Sequence, residues 1–277
     1  MIVRAPATSA NLGPGFDCAA VALELWNEVE VLEGDGVVVT GEGADELPAD
    51  ESNLAVRAYA LFADARGKRL RFTNRIPLER GLGSSAAAIA LGLAAAAPER
   101  PFEELLAAGV TLEDHADNLA AALLGGVTLA WEGRAARVAE TLPLTPVAVV
   151  PAGRVSTAAS RDALPRTVSH ADAAATVAHA ALLGAGAAAG DAALFAAALA
   201  DRLHEPHRAS PELAAIRSDP PPGCEGATLS GSGPTVIAWA SDAAACAEGL
   251  RARFPGASVL ELRVAPRGAL GSRTIAE

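Results

Sequence analysis

The chain has 277 residues, 51% of them hydrophobic, and a net charge of −11. That length supports one large domain or two medium ones. An acidic balance with no basic patch excludes a nucleic-acid footprint and a polybasic lipid anchor, so neither nucleic acid nor membrane is an expected partner.

The predicted elements begin with residues 23–31, LELWNEVEV, whose alternation marks a half-buried strand. GVVVTGEG follows after a Gly/Asp turn. Residues 53–67 carry helical spacing at Leu54, Ala58, Leu61 and Phe62, with Asn53 as N-cap and Gly67 as stop. Residues 70–77 alternate again and end at proline. The small residues of 84–97 predict a helix able to pack close to its neighbours. PFEELLAAG and HADNLAAALLGG predict two further short helices, VTLAWEG and ARVAETL a hairpin, and residues 146–151 a short buried strand. Alanine-rich helices are expected over 170–184 and 191–203, with a short one in PELAAIRS. The chain closes with ATLSGSGPTVIAWA, a helix near 242–254 and the strand SVLELRV. A domain boundary is placed near residue 145, in TLPLTP, dividing 1–145 from 146–277.

Cys18, Cys224 and Cys246 form no CxxC and no metal-ligand spacing, which suits a reducing cytoplasm. The N-terminal MIVRAPATSA lacks the apolar core of a signal peptide. The alanine-rich stretches are broken by charge, Gly or Pro before they reach spanning length. The expected location is the cytoplasm.

RGLGSSAAA, between an extended run and a helix, admits three readings. It is a tight turn with glycines for backbone reasons, a dinucleotide fingerprint, or a nucleoside-triphosphate loop. The fingerprint needs a buried strand directly before it; TNRIPLER is too polar and is broken by Pro77. In a triphosphate loop, glycines let backbone N–H groups converge on phosphate, the helix adds its positive end, and Ser84 and Ser85 serve phosphate or a cation. No GxxxxGK[ST] is present, which excludes a Walker loop.

The longer string IPLERGLGSSAAA resembles the ATP-binding motif of the GHMP kinases, apolar-Pro-x3-Gly-Leu-Gly-Ser-Ser-Ala. PATSANLGPGFD resembles that family's N-terminal motif in its homoserine kinase form, and LSGSGPT its C-terminal glycine motif. EDHADN, STAASRDALP and DRLHEPHR are similar to further segments of the homoserine kinase branch. The resemblance spans residues 6–235. It departs from the pattern in two places: the stretch from 88 to 113 is short, and the family's Asn-Val-Ala-Pro is here Asn118, Leu119, Ala120 and Ala121.

The resemblance implies an α+β GHMP kinase fold in two domains, a ribosomal S5 domain 2-like N-terminal domain and a ferredoxin-like C-terminal domain. It implies ATP as co-substrate, magnesium as cofactor, and phosphorylation of the L-homoserine hydroxyl on the way to threonine. Asn53, Pro77, Arg80, Gly81, Leu82, Gly83, Ser84, Ser85, Ala86 and Ala87 then fall in the ATP site, although N-capping is the simpler role for Asn53. Ser84 and Glu113 are the expected metal ligands. Homoserine offers an ammonium, a carboxylate and a hydroxyl. Asp17 with Asn11 would take the first and Arg161 with Arg208 the second. Asn118 would orient the hydroxyl, with His115 lining the pocket. Asn118 and Arg161 are the expected catalytic pair, and no catalytic base emerges. A GHMP kinase for another small alcohol and a catalytically weak metabolite-binding relative stay open, as does a homodimer.

Overall fold

A computed structural model describes residues 1–113 and 115–274. The first sheet has seven strands. β1 (Ile2–Asn11) and the long β2 (Gly15–Glu33) pair antiparallel. β3 (Gly36–Gly41) runs parallel to β4 (Lys68–Asn74), which pairs with β2. Between β3 and β4 lies α1 (Leu54–Ala60). α2 (Ser84–Ala96), α3 (Phe102–Val110) and α4 (Ala116–Leu124) follow, and their buried alanines and leucines form one core with the sheet. The hairpin of β5 (Val127–Trp131) and β6 (Arg134–Ala139) joins the sheet through β2.

The second sheet begins with β7 (Thr145–Val150). α5 (Thr157–Asp162), α6 (His170–Ala189), α7 (Ala192–Ala198) and α8 (Pro211–Ser218) come next. β8 (Cys224–Leu229), β9 (Val236–Ala240), α9 (Ala243–Arg253) and β10 (Ser258–Glu261) complete the unit. Its strand order is β10-β7-β9-β8, all antiparallel, which is the ferredoxin-like arrangement. β7 is apolar and buried from Pro146 to Val150 because both faces are covered. Val147 and Val149 meet α8 and α9, while Ala148 and Val150 join the first core. β11 (Arg273–Thr274) returns to pair with β1.

Several elements differ from expectation for identifiable reasons. β1 is buried along almost its whole length, so it lacks the alternation that reveals a half-buried strand. The helix expected to reach Gly67 stops near Leu61; Asp64 accepts the Arg66 N–H and starts a turn instead. The helix expected over 191–203 ends at Ala198. Beyond it the Asp201 carboxylate accepts the N–H groups of Leu203, His204 and Glu205 and organises a separate turn. Helix α6 runs past Gly184 to a left-handed cap at Gly190, since Gly186 provides the space in which the Phe195 backbone packs. At 20 residues it is long and apolar enough to span a membrane by length and composition, which corrects the expectation of interrupted alanine stretches. Its buried Leu183 and Ala187 belong to the main core.

Candidate active site

Three loops meet where the sheets face each other. Gly81 occupies a left-handed conformation (φ 75°) against the Ser230–Gly233 turn, where a side chain would collide with the Ser230 carbonyl. Ser230 Oγ donates to the Gly81 carbonyl at 2.6 Å and lies 2.9 Å from Ser9 Oγ, whose hydroxyl is the donor of that pair because Ser230 has a single proton. Asn11 Nδ2 donates to the Gly231 carbonyl at 3.0 Å, and Gly231 N–H donates to Ala10. The N-terminal motif, the glycine loop and the C-terminal glycine turn are therefore one knit unit. Asn11, Asp17 and Glu79 hold positive φ without being glycine, and all three line the cleft between the loops. Strain of that kind persists where the surroundings over-determine it, and it clusters at functional sites.

The cleft is about 320 Å³ and brings together Asn11, Asp17, Gly81, Gly83, Ser84 and Ser85. Glu113, His115, Asn118, Arg161 and Arg208 close its other walls. Every residue expected to touch substrate or metal is thus gathered in one place. Asp114 lies outside the described residues. Gly83 caps α2 in the left-handed region and, among the described residues, no side chain caps the helix's first N–H groups, which leaves a positive end at the cleft.

A second cavity of about 350 Å³ adjoins the first and shares Glu79, Ser84 and Ser85 with it. Leu47, Phe72, Ala88 and Leu91 give it an apolar wall. Asn53 lines it too, but its side chain is engaged. Oδ1 caps the Ala55 N–H at 3.0 Å and Nδ2 donates to the Pro48 carbonyl at 2.8 Å. Of the other residues assigned to ATP, Pro77, Arg80, Leu82, Ala86 and Ala87 line neither cavity; Leu82, Ala86 and Ala87 are core residues beneath the loop.

The polar residues are already oriented. Thr8 Oγ1 donates to Asn118 Oδ1 at 2.6 Å, which fixes the amide. Arg161 Nη2 donates to Asp17 Oδ1 at 2.8 Å and its Nε donates to His115 Nε2 at 3.0 Å. The His115 proton therefore sits on Nδ1, toward Glu113. Arg208 Nη1 donates to the Gly231 carbonyl at 2.8 Å. Both guanidinium groups lie over the Phe16 ring, at 5.8 and 5.5 Å from its centroid. Ser85 Oγ donates to Glu113 Oε1 at 2.8 Å, so the serine beside the carboxylate is Ser85, one residue after the expected Ser84. The short stretch before Glu113 does not misplace it. α3 seats Leu105 and Leu106 in the core, and the chain still delivers the carboxylate to the start of α2.

Asp117 escaped the sequence reading although it stands inside EDHADN. It lines the cleft at only 3% exposure, and burial raises its pKa to about 6, with a further push from the Asp17 charge. Its Oδ1 accepts the Asn118 N–H at 2.6 Å. Because the folded pKa lies above the unfolded one, the group favours folding when protonated and opposes it when ionised. The cost grows as pH rises through the interval from 3.8 to about 6 and is complete above it, at about 3 kcal/mol. Asp117→Asn, which keeps the acceptor, is expected to be about 3 kcal/mol more stable than wild type at pH 8 and no more stable at pH 3.5. Urea titrations at the two pH values check this, and an equal gain at both would remove ionisation as its cause.

Fold, glycine loop and adjoining cavities define a small-molecule phosphotransferase of the GHMP class. The family description "GHMP kinases N terminal domain" matches residues 53–126. A homoserine kinase of Streptomyces avermitilis is 42% identical across 88% of this chain and 86% of its own length. That of Streptomyces coelicolor is 43% identical across 86% and 84%. The crystal structure of homoserine kinase from Cytophaga hutchinsonii superimposes with a TM-score of 0.82 at 26% identity, covering 96% of each chain. The chain belongs to the homoserine kinase family within the GHMP kinases.

Proposed function

We propose that the chain transfers the γ-phosphoryl group of ATP to the side-chain hydroxyl of L-homoserine, giving O-phospho-L-homoserine for threonine biosynthesis. The observation that carries this is the convergence in one cleft of four carboxylates, two guanidinium groups and an oriented amide beside the glycine loop. Residues 1–145 act as the ATP-binding domain and 146–277 as its C-terminal partner, a division supported by the second sheet's start at Thr145. Acting on free metabolites, the enzyme works in the cytoplasm.

In this reading the nucleoside fills the apolar cavity and the phosphates run along Gly81–Ser85 toward the start of α2. The Asp17 charge raises the Asp117 pKa, and an ammonium placed between the two carboxyl groups would relieve that repulsion. Arg161 and Arg208 face the carboxylate. Thr8 holds the Asn118 carbonyl and the amide nitrogen gives one hydrogen to Asp117 Oδ1 at 3.4 Å, so its second hydrogen is the one left to meet the hydroxyl oxygen. Attack is direct and in line: the hydroxyl oxygen bonds the γ-phosphorus, the bond to the departing ADP oxygen breaks, and the hydroxyl proton leaves through phosphate or solvent. A loose transition state needs little prior deprotonation, so positioning and charge neutralisation carry the catalysis.

Among the described residues no three acidic, histidine or cysteine side chains form a metal cluster. A phosphate-borne magnesium needs only one or two protein oxygens, and Glu113 with Ser85 or Ser84 meets that need. When bound there it neutralises phosphate charge. Glu113→Gln should raise the magnesium concentration for half-maximal rate by about tenfold while leaving thermal stability unchanged. An unaltered magnesium titration would move the ligand elsewhere. The function itself is tested by ADP release with homoserine, mevalonate or buffer alone. Only homoserine should stimulate it, and equal rates in all three would overturn the proposal.

A further inference from the structure

His204 touches neither cavity, yet it is fully buried and placed between two parts of the substrate cleft. Its Nε2 lies 2.8 Å from the Gly13 carbonyl oxygen, in the loop that joins Asn11 to Asp17. Its Nδ1 lies 3.0 Å from Arg208 Nη1. A carbonyl only accepts, so Nε2 carries the ring proton; a guanidinium only donates, so Nδ1 carries the lone pair. The two neighbours together specify one neutral tautomer. Phe16 stacks on the ring at 5.1 Å and carries the Arg161 and Arg208 guanidinium groups above its face.

The charged groups around the ring agree with this. Asp201 Oδ2 is 3.6 Å from Nε2, but that oxygen accepts the backbone N–H groups of His204 and Glu205. Asp17 adds a weaker attraction for a proton and Arg208 opposes one. Burial is the largest influence and holds the histidine pKa below its ordinary value. Arg208 Nη1 is consequently held by two acceptors, His204 Nδ1 and the Gly231 carbonyl, which fixes the plane of the guanidinium.

We infer that His204 is a positioning residue that ties the Gly13 loop to Arg208 and so sets the aim of that guanidinium at the substrate carboxylate. This rests on the homoserine reading of the cleft. Two-handed function, one donor and one acceptor about an imidazole's width apart, is also within reach of a glutamine amide.

The test compares His204→Leu, His204→Gln, Arg208→Ala and the double variant His204→Leu/Arg208→Ala. The leucine variant should raise the homoserine KM by about tenfold or more, with the ATP KM within about twofold and kcat within about threefold of wild type. Glutamine should restore the homoserine KM to within about threefold. The double variant should be no worse than Arg208→Ala alone, because His204 acts through that side chain. Additive losses, or an equal rise in both substrates' KM, would overturn the positioning role. A wild type that ignores homoserine, or an Arg208→Ala enzyme with normal homoserine KM, would overturn the underlying reading as well. Nitrogen-15 spectra of the wild-type histidines need no variant to fold: a neutral Nε2–H ring at pH 7 is expected for His204, and the Nδ1–H form would refute the inference.

Discussion

Gly83→Ala is expected to lower kcat/KM for both substrates by at least about 100-fold and to destabilise the fold. A Cβ at this position would collide with Thr8 Oγ1 and press on Thr8 Cβ and Asn118 Oδ1, and the residue's φ is 66°. Overpacking of this kind costs about 1–3 kcal/mol, and left-handed backbone adds about 1–2 kcal/mol for a residue with a side chain. The consequence for function is specific. Thr8 cannot yield without releasing Asn118, whose amide its hydroxyl holds at 2.6 Å. Thr8→Ala in the Gly83→Ala background removes the colliding oxygen but also the hydrogen bond. The double variant should therefore regain stability in urea without regaining activity. Recovery of both together would show that Gly83 matters only as a packing position; recovery of neither would place the damage in the loop backbone.

The same glycine shows how far the sequence alone could reach. The spacing of Gly81, Gly83, Ser84 and Ser85 marks a phosphate loop because the reasons for glycine and serine there are local: backbone approach, a helix start, a hydroxyl. Asp17, Asn118, Arg161 and Arg208 were legible for another reason, since each stands in a string that resembles a known family. What local pattern could not reveal is which residue each glycine makes room for. Thr8 and Asn118 are 110 positions apart, and Gly83 is small because those two meet beside it. His204 reads as one more polar residue in DRLHEPHR until the fold brings Gly13 to one ring nitrogen and Arg208 to the other. Asp117 sits in full view within EDHADN, but its cost depends on burial, which no spacing conveys. Secondary structure failed where side chains compete with the backbone. Asp64 and Asp201 each stop a helix that periodicity would extend, by accepting N–H groups the helix would otherwise use.

The substrate's carboxylate is expected to be worth at least about 100-fold in kcat/KM, read as the preference of the wild type for homoserine over 3-aminopropan-1-ol, its decarboxylated counterpart. The physical reason is asymmetric. Without the carboxylate, two guanidinium groups remain in a cleft where Arg208 is half-buried and its Nε has no partner among the described residues. Leaving such a donor unpaired costs about 1–3 kcal/mol, and a site built around a hydrogen-bonding group rejects the analogue lacking it far more strongly than it rejects a missing methylene. The two arginines should differ in how they fail. Arg161 also pairs with Asp17 and His115, so Arg161→Lys disturbs the ammonium and carboxylate ends together and should reduce the use of both compounds. Arg208 is held by His204 and Gly231, and Phe16 supports its flat face. Lysine there cannot reproduce the planar fork, so Arg208→Lys should lose at least about tenfold on homoserine while leaving 3-aminopropan-1-ol nearly unchanged. The measurement is kcat/KM for both compounds in wild type and the two lysine variants. Equal use of both by the wild type would defeat the carboxylate clamp, and with it the main chemical reason for choosing homoserine over another small alcohol. A preference that survives Arg208→Lys intact would assign the clamp to Arg161 alone.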